Sequence, residues 1–465
     1  MTRRRKLAIL AAVIAIFPLS HGIVCVTTGI DAPKVAVPAE NGASSTRVRA
    51  GVREVHLAGS PEQMGADHAR LLRERMVADE ADVWKSFSDF VPLAPMRALL
   101  MDVGRVRYRH VDRGIPEARR RELAAQAQAF SPDPYEDKLP TYHRMVFLHA
   151  LYDIALGFEE APLVGCTAMA FGPSATRDGH VLVARAFDFE ANEVLDRDKA
   201  VYFVRGDGTL PFASVAWPGL VGVMTGMNLE GVMVLVNGAR AKEPIADGVP
   251  VVFSLREVLE RAHDTREAVE ILRTQKIMVS HLVFVADAAG RFAVVERAPG
   301  AETTVRDAWP DPDRVALTNH FEGPLAGDPR NQRVRDRTTT LPRRARADEI
   351  VRAVGKGEVT PERAVAMLRD HTCAGGATCE LGDRRTIDAL IATHGVVADT
   401  TARVLWVSAG PHLSGAFVRF DLRAAFEGAP ESAEPVTIPA DPILGDDRYA
   451  AGRARAGGPG SRGVK

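Results

Sequence analysis

The sequence predicts an α+β fold, because a helical block is followed by runs of short strands with helices between them. From 60 to 157, apolar residues recur three and four positions apart, which is the spacing of an amphipathic helix. Beyond residue 166, short β-rich segments alternate with Gly, Pro and Asp turns. Strands in runs, interrupted by helical segments, favour a layered α+β domain.

Each element follows from its local pattern. Helical spacing and β-rich composition predict helices at 61–76, 116–130, 141–156, 253–262 and 266–274, and strands at 200–205, 212–216, 221–227, 232–237, 281–286 and 292–297. Thr360 and Pro361 predict the start of another helix, with Thr as its N-cap. Residues 28–52 lack periodicity and predict a linker, and the composition of residues 428–465 predicts a disordered tail.

The Gly165–Cys166 pair predicts a self-cleaving nucleophile. A thiol with an unperturbed pKa near ~8.5 is only partly ionised at neutral pH, so a cysteine enzyme needs a base or a positive neighbour. If the Gly165–Cys166 bond is cut, the new α-amine, with a reference pKa of about 7.7–8.0, is suited to be that base. Gly165 offers an attacking thiol the least steric resistance, because it has no Cβ. The structural alternative is a small buried cysteine in an apolar strand.

A β-hairpin is predicted around this cysteine. The Arg-Asp-Gly turn at 177–179 separates two β-like segments, 167–171 and 180–187. The second segment would return Arg185 and Asp188 to the start of the first. A guanidinium there could hold a thiolate, and a carboxylate could anchor the new ammonium group or orient a substrate. The alternative for this pair is a surface ion pair.

The stretch from 164 to 190 resembles the start of the mature chain in choloylglycine hydrolases, acid ceramidase and the penicillin-type acyltransferases, which act on acyl-CoA and 6-aminopenicillanate. The resemblance is carried by Cys166-Thr, the Asp-Gly turn and the ARAFDF segment at 184–189, in which Ala186 stands where these families more often have Asn. They are autoproteolytic N-terminal-nucleophile (Ntn) hydrolases. The resemblance therefore implies a four-layer αββα sandwich, with 53–165 as a helical pro-segment that becomes the small chain and 166–427 as the catalytic core.

Further segments extend the resemblance and imply additional site residues. Residues 226–240 resemble the family segment in which a strand ends in Asn, so Asn237 would supply an oxyanion-hole amide, and 315–321 resemble the strand that carries a second active-site Asn, Asn319. Preorganised donors of this kind can lower a barrier by some 3–4 kcal/mol each. The structural alternative is that each Asn only ends a strand, because Asn favours turns.

The family's last active-site arginine is expected in the segment 330–341. Four arginines compete there, and Arg337, four residues before Leu341, is chosen over Arg330, Arg333 and Arg335.

Residues 1–27 predict a signal peptide or an N-terminal membrane anchor. Basic residues at 3–6 precede the apolar segment 7–19. If the apolar stretch runs on to about Val26, it reaches the ~20 residues that span a bilayer, with the basic end in the cytoplasm. Lipid attachment at Cys25 is disfavoured by Val24, since bacterial lipoprotein signals place a small residue there. We expect a bacterial, exported protein that is either anchored, facing the periplasm or the outside, or secreted.

The remaining two cysteines predict a local disulfide. Cys373 and Cys379 are close in sequence with two glycines between them, and a disulfide between them is feasible in an oxidising compartment. A zinc site lacks a second pair of ligands at suitable spacing, so no metal site is predicted.

Composition and motifs exclude several other functions. The formal net charge is −1, with 59 basic and 60 acidic residues, so there is no electrostatic footprint for nucleic acid. The chain has no Walker-type phosphate loop and no dinucleotide fingerprint, and no cofactor is expected. A papain-like pair would need His263, His281 or His320, none of which lies in a recognisable signature.

The sequence therefore predicts an autoproteolytic N-terminal-cysteine hydrolase or acyltransferase. Its expected substrate is a small-molecule acyl amide or acyl donor, processed through a thioester, and its two cleavage fragments are expected to stay associated. One alternative is an ester-cleaving, lipase-like enzyme, since the same acyl-enzyme serves both reactions. The other is a non-catalytic exported binding protein on the same fold. Acyl and amine specificity, hydrolysis or transfer, and oligomeric state are left open.

Overall fold

The computed structural model describes residues 19–157, 165–188, 193–428 and 434–457. The first eighteen residues of the predicted export segment lie outside these ranges. Residues 19–27 are helical and are called α1. Among the described residues, every helix is too short or too polar to cross a membrane.

Two sheets form the centre of the molecule. The nine-stranded sheet has the order β1-β2-β5-β6-β7-β8-β9-β10-β11, and the seven-stranded sheet has the order β12-β3-β4-β13-β14-β15-β16. Their strands are β1 (Ser45–Arg49), β2 (Val52–Gly59), β3 (Gly165–Phe171), β4 (Leu182–Asp188), β5 (Ala200–Gly206), β6 (Phe212–Ala216), β7 (Thr225–Asn228), β8 (Met233–Gly238), β9 (His281–Ala286), β10 (Phe292–Arg297), β11 (Thr304–Arg306), β12 (Arg314–Leu317), β13 (Ala392–Asp399), β14 (Val404–Ser408), β15 (Phe417–Asp421) and β16 (Thr437–Ile438).

Helices lie outside both sheets. They are α2 (Pro61–Phe90), α3 (Ala94–Arg107), α4 (Glu117–Ala129), α5 (Thr141–His149), α6 (Leu151–Leu156), α7 (Val194–Arg197), α8 (Val251–Arg261), α9 (Thr265–Thr274), α10 (Pro329–Arg337), α11 (Thr340–Ala353), α12 (Pro361–Leu368), α13 (Leu422–Glu427) and α14 (Arg448–Gly457). As predicted, α12 begins with a Thr360 N-cap, whose side chain accepts a hydrogen bond from the Arg363 backbone N–H. This bond satisfies one of the amides that a helix start leaves unpaired.

Three apolar cores define four layers. Inward-facing residues of both sheets, such as Leu235, Phe284 and Val396, meet in the central core. The opposite face of the nine-stranded sheet packs against α2, α4, α5, α8 and α9. The opposite face of the seven-stranded sheet packs against α11 and α12. The α+β prediction and its αββα layering are confirmed, because each sheet buries one face against the other sheet and one against helices.

The sequence predicts a linker and a helical pro-segment before Cys166, but the structure also has two strands there. β1 lies within the predicted linker, and β2 opens the predicted pro-segment. β2 pairs with β5 in parallel, whereas the other strand pairs are antiparallel. The linker prediction missed β1 because this edge strand is mostly exposed, and its sequence therefore lacks the alternation of apolar and polar residues that indicates a strand.

The predicted disorder of the tail is wrong for residues 434–457. β16 pairs with β15, and α14 packs Gly452 against Leu381 and Leu390 and Ala456 against Gly382. The composition is poor in large apolar residues, but small residues allow close packing of this short helix on the loop beneath it. The structure also contains the Cys373–Cys379 disulfide, with the two α-carbons 5.8 Å apart.

Candidate active site

The β3–β4 hairpin brings together the residues that the sequence singled out. In its antiparallel register Gly165 faces Asp188, Cys166 faces Phe187 and Ala168 faces Arg185. Directly opposed residues share a face of the sheet, so Cys166 and Arg185 lie on the same face as diagonal neighbours. Hairpin pairing alone therefore places the thiol, the guanidinium and the carboxylate at one strand end.

Arg185 is fully buried beside the thiol. Its Nη2 lies 3.9 Å from Cys166 Sγ, and its guanidinium carbon stands 4.6 Å from the centre of the Phe187 ring. Its other hydrogen bonds go to neutral acceptors: the carbonyl oxygens of Met224 and Val236 and the hydroxyl of Thr225. None of these partners carries a charge, so within the described ranges no counter-ion is hydrogen-bonded to the guanidinium, and the Asp188 carboxyl group acts on it only through space.

The thiol of Cys166 is completely buried in the intact chain. Burial raises its pKa, and the nearby Arg185 opposes that rise. Low dielectric surroundings disfavour the thiolate, so the intact chain holds this cysteine as a thiol. Two surface cavities, of about 440 and 600 Å³, are lined by other parts of the described chain, and neither borders Cys166.

Asp188 lies directly against the proposed cleavage point. A Cβ placed on Gly165 would be 2.9 Å from Asp188 Oδ2, so only glycine fits here without a shift of the carboxyl group. Burial raises the pKa of Asp188 to about 7, and Arg343 opposes the rise. A carboxyl group with that pKa can give or take a proton near neutral pH.

Asn319 binds the backbone nitrogen of Cys166. β12 pairs with β3 only as far as Leu317 and Ala168, so the amide of Cys166 lies beyond the ladder. The side-chain Oδ1 of Asn319 accepts a hydrogen bond from that nitrogen at 2.8 Å. The sequence placed Asn319 in the site, and the structure shows it contacting the atom that would become the α-amine.

The arginine chosen from the sequence, Arg337, is exposed at the end of α10, and that choice is corrected. Arg343, one helix further on, contacts the site instead. Its Nη1 donates to the Cys166 carbonyl oxygen at 2.6 Å and to Thr167 Oγ1 at 3.0 Å, and its Nη2 donates to Asn319 Oδ1 at 2.7 Å. Burial lowers the pKa of Arg343, an effect that Asp188 and Cys166 oppose.

A signal for Arg343 exists in the sequence. The buried positions of α11 are Thr340, Arg343, Ala347 and Val351, spaced three and four apart. An arginine inside the inward stripe of a helix is unusual, because a charged side chain is seldom buried without a partner. The position of Arg337, four residues before Leu341, does not indicate whether its side chain is buried.

Asn237 reaches the site through Asn319. Its Nδ2 donates to the Thr318 carbonyl oxygen at 3.0 Å, and Nδ2 of Asn319 donates to the Gly238 carbonyl oxygen at 2.9 Å. These reciprocal bonds join the ends of β8 and β12, one from each sheet. The Oδ1 of Asn237 is buried and has no hydrogen-bond partner among the described residues. Such a group is costly to leave unpaired, and functional sites are where it is tolerated.

The segment before Gly165 also contributes to the candidate site. Tyr152 on α6 is almost fully buried, in the same apolar cluster as Cys166 and Phe187. Burial raises the pKa of its phenol well above the ordinary value, and the charges of Cys166 and Arg185 act on it. No sequence pattern singles out Tyr152, since it lies in an ordinary helical segment.

Within the described part of the chain, the Cys166 sulfur is hydrogen-bonded to Arg185 and to no histidine. His263 is largely exposed, His281 is buried beside Arg297, and His320 lies near the Thr318 and Thr340 hydroxyls. The groups of metal-ligating side chains in the described part of the chain, Cys373–Cys379–Asp383 and Asp178–His180–Asp399, do not include Cys166. The polar groups near Cys166 therefore include the Arg185 guanidinium, the Asp188 carboxyl group and the Asn319 side-chain amide, which binds the backbone nitrogen of Cys166.

Residues 175–377 match the family model of acyl-coenzyme A:6-aminopenicillanic acid acyl-transferase. The resemblance to this family is confirmed. The matched segment of the acyl-transferase family includes Arg185, Asp188, Asn237, Asn319 and Arg343, and Cys166 lies just before it. Residues 175–377 of the chain are thus similar to this acyl-transferase family.

One curated relative matches a longer part of the chain than the family model does. An uncharacterized protein of Archaeoglobus fulgidus is 24% identical over 257 residues, which are 51% of this chain and 41% of that protein. The chain therefore matches about two-fifths of the length of this relative.

Solved structures with similar folds include three hydrolases. An N-acylethanolamine-hydrolyzing acid amidase ortholog from Caenorhabditis elegans is 17% identical, with a TM-score of 0.37, and the match covers 51% of this chain and 93% of that one. A mutant conjugated bile acid hydrolase from Clostridium perfringens is 13% identical, with a TM-score of 0.35 and coverages of 59% and 97%. Penicillin V acylase from Agrobacterium tumefaciens is 17% identical, with a TM-score of 0.34 and coverages of 55% and 91%.

Proposed function

We propose that the chain cuts its own Gly165–Cys166 bond and then acts as an amidohydrolase or acyltransferase with Cys166 as its N-terminal nucleophile. One observation carries this proposal: the backbone nitrogen of Cys166 is held by the Asn319 side chain at 2.8 Å instead of by a strand. A peptide N–H inside a sheet is normally paired with the backbone carbonyl oxygen of a neighbouring strand, so a side-chain acceptor is not needed for the fold. A side-chain acceptor, itself held by Arg343, can stay in place when that nitrogen becomes a free amine.

Self-cleavage begins with attack of the Cys166 sulfur on the Gly165 carbonyl carbon. The S–C bond forms and the C–N bond breaks, which leaves Gly165 as a thioester on the sulfur and the nitrogen as an amine. The thiol proton ends on that nitrogen, and Asp188 is placed against Gly165 to relay it. Water then hydrolyses the thioester, which releases the Gly165 carboxylate and the free thiol.

Turnover uses the same residues on an external substrate. The α-amine of Cys166 takes the thiol proton, and the thiolate attacks the carbonyl carbon of an acyl amide. Arg185 stabilises the thiolate, because its other hydrogen bonds go to neutral acceptors and do not neutralise its charge. The leaving amine takes the proton from the ammonium group, and water or an acceptor amine then releases the acyl group.

The two fragments have extensive buried contacts that would keep them associated. Arg256 of α8 lies 3.0 Å from Glu122 of α4, and both side chains are buried. His68 and His149 accept hydrogen bonds from the backbone amides of Gly219 and Val221, each at 2.9 Å. The parallel pairing of β2 with β5 adds a continuous ladder. Tyr152 therefore remains beside Cys166 after cleavage.

The proposal is tested by following the intact chain on denaturing gels. We expect the 465-residue chain to give fragments of 165 and 300 residues, the larger beginning at Cys166 by N-terminal sequencing. Cys166→Ala should abolish the split and Cys166→Ser should abolish or slow it. Cys25→Ala, at the other free cysteine, is the matched control and should process normally.

Activity is then measured on the processed protein. N-acyl amino acids, bile-salt amides, acyl-homoserine lactones and penicillins form the first substrate panel, with and without an acceptor amine. Acyl transfer would appear as a new amide, and hydrolysis as the free acid. A wild-type chain that stays intact and turns over nothing would contradict the proposal and favour a binding protein on the same fold.

A further inference from the structure

The helix α3 presents apolar side chains to solvent along one side. Met96, Leu99, Leu100, Val103 and Val106 are 46, 44, 44, 54 and 43% exposed. Their spacing of three and four residues places them on one face of the helix. Single exposed apolar residues are ordinary on a protein surface, but a continuous row marks an interaction site.

The usual distribution of side chains on α3 is inverted. The face turned toward the protein carries the charged residues Asp102 and Arg105, which are 7 and 5% exposed. Asp102 lies 2.9 Å from Nδ1 of His21, and Arg105 donates to the sulfur and the carbonyl oxygen of Cys25 at 3.1 Å each. Polar contacts therefore hold α3 to α1, and the apolar side is left outward.

α1 adds its own apolar residues to the same region. Leu19, Ile23 and Val26 are 67, 54 and 85% exposed and recur at helical spacing. Phe90, the last residue of α2, and Leu93, directly before α3, are 78 and 68% exposed. The α1–α3 apolar surface is defined as Leu19, Ile23, Val26, Phe90, Leu93, Met96, Leu99, Leu100, Val103 and Val106.

We propose that the α1–α3 apolar surface lies in the interface of a lipid bilayer, with α3 parallel to the membrane plane. Residues 1–18, outside the described structure, end where α1 begins, and residues 7–19 form the apolar segment LAILAAVIAIFPL after four basic residues. Any bilayer that takes up this segment must come close to α1 and therefore to α3. The surface thus continues a segment with the chemistry of a membrane anchor.

The charges at the border of this surface fit anionic headgroups. Arg107 and Arg109 are exposed at the C-terminal end of α3, and Arg97 is half-buried near its start. The sole carboxylate within α3, Asp102, is buried against α1. A helix with an apolar face and flanking arginines lies in the membrane–water interface, with its apolar face buried about 5–10 Å into the boundary between headgroups and acyl chains. This inference does not depend on the proposed self-cleavage.

The test places a fluorescent reporter on the surface in the full chain. Val103→Trp is measured in vesicles of phosphatidylcholine and phosphatidylglycerol, with and without bromine on the acyl chains, against the background of the four native tryptophans. Arg352→Trp, an exposed position on α11 beside the other sheet, is the matched control. Both substitutions are at exposed positions, and far-UV circular dichroism checks that both proteins fold.

We expect brominated lipid to reduce the additional emission of Val103→Trp at least about twofold and to leave that of Arg352→Trp unchanged. Three results would overturn the proposal. Vesicle binding without quenching at 103 would mean that residues 1–18 anchor the protein alone. Quenching at both positions would mean unspecific insertion. A concentration-dependent blue shift of Val103→Trp without vesicles would mean that a second copy covers the surface.

Replacing apolar residues of α3 by polar ones provides a second test, which is read by hydrogen exchange. The triple variant Leu99→Gln, Leu100→Gln, Val103→Gln should lose the protection from hydrogen exchange that vesicles confer on residues 90–107 in the wild type. Protection that is absent in the wild type, or unchanged in the variant, would contradict contact of this face with lipid.

Discussion

Arg343 provides the sharpest test of the site, because the sequence had favoured Arg337 in its place. Arg343→Lys keeps the positive charge but removes the planar fork that binds the Cys166 carbonyl oxygen, Thr167 Oγ1 and Asn319 Oδ1 at 2.6, 3.0 and 2.7 Å. A single ammonium group cannot reach all three oxygens in the same geometry. Arg337→Lys changes an exposed side chain at the end of α10 and is the matched control.

The expected magnitude follows from the hydrogen bonds lost. If lysine keeps one of the three, two charge-assisted bonds are lost, each with a contribution of about 1.5–3 kcal/mol. Their sum is about 3–6 kcal/mol, and a tenfold change in rate corresponds to about 1.4 kcal/mol. Part of this energy is also lost from the folded precursor. The effect on the rate is therefore smaller than the full sum, and we expect self-cleavage to slow at least about tenfold in Arg343→Lys and less than about twofold in Arg337→Lys.

The assay follows the disappearance of freshly purified precursor on denaturing gels over time. Urea unfolding of both variants, each in the Cys166→Ala background, shows whether the precursor is folded at the start. Normal cleavage in Arg343→Lys, or slow cleavage in Arg337→Lys, would refute the assignment of Arg343 to the site. An unfolded Arg343→Lys precursor would instead show that this arginine acts mainly on stability.

Three other predictions concern the cleavage point, the pH dependence and the fragments. Gly165→Ala should slow precursor processing on gels, because its Cβ would lie 2.9 Å from Asp188 Oδ2; processing at the wild-type rate would contradict this. The pKa of Asp188 rises to about 7 on folding from about 3.9 in the unfolded chain, so the unfolded state ionises first and the free energy of unfolding should fall between about pH 4 and 7; Asp188→Asn in the uncleavable precursor should flatten this slope in urea titrations, and an unchanged slope would count against it. Arg256→Met removes the charged contact with Glu122, 3.0 Å away on the other fragment, while Glu122 keeps its pairing with Arg119 on its own helix; the loss of charge-assisted bonding of about 1.5–3 kcal/mol should let the cleaved fragments separate at lower urea on gel filtration, whereas Arg261→Met, exposed on the same helix, should not change their separation.

Local features of the site were predictable from sequence. The β3–β4 hairpin follows from a strong turn between two β-like segments, and it alone aligns Cys166 with Arg185 and Asp188. The disulfide joins cysteines that are neighbours in sequence. In each case the interacting residues are close along the chain, so local backbone preference decides the contact.

Contacts between distant elements were not predictable in the same way. Several arginines follow β12, and only the packing of α11 on β3 turns Arg343 toward Cys166 and leaves Arg337 in solvent. The reciprocal bonds between Asn237, Asn319 and the two strand ends require the two sheets to be stacked. Tyr152 lies in the same apolar cluster as Cys166 only because its helix covers the nine-stranded sheet.

The sequence by itself determined the fold class and the residue types of the candidate site around Cys166. Hydrophobic spacing specifies helices and strands, and the cysteine, its preceding glycine and the returning arginine and aspartate lie within one short hairpin. Tertiary structure decided which distant arginine and which helix complete the site, that the tail is ordered in part, and that α3 turns its apolar side outward. Those outcomes depend on how whole elements pack, and a side chain far away in sequence is selected by the space and charge it meets there, not by its neighbours along the chain.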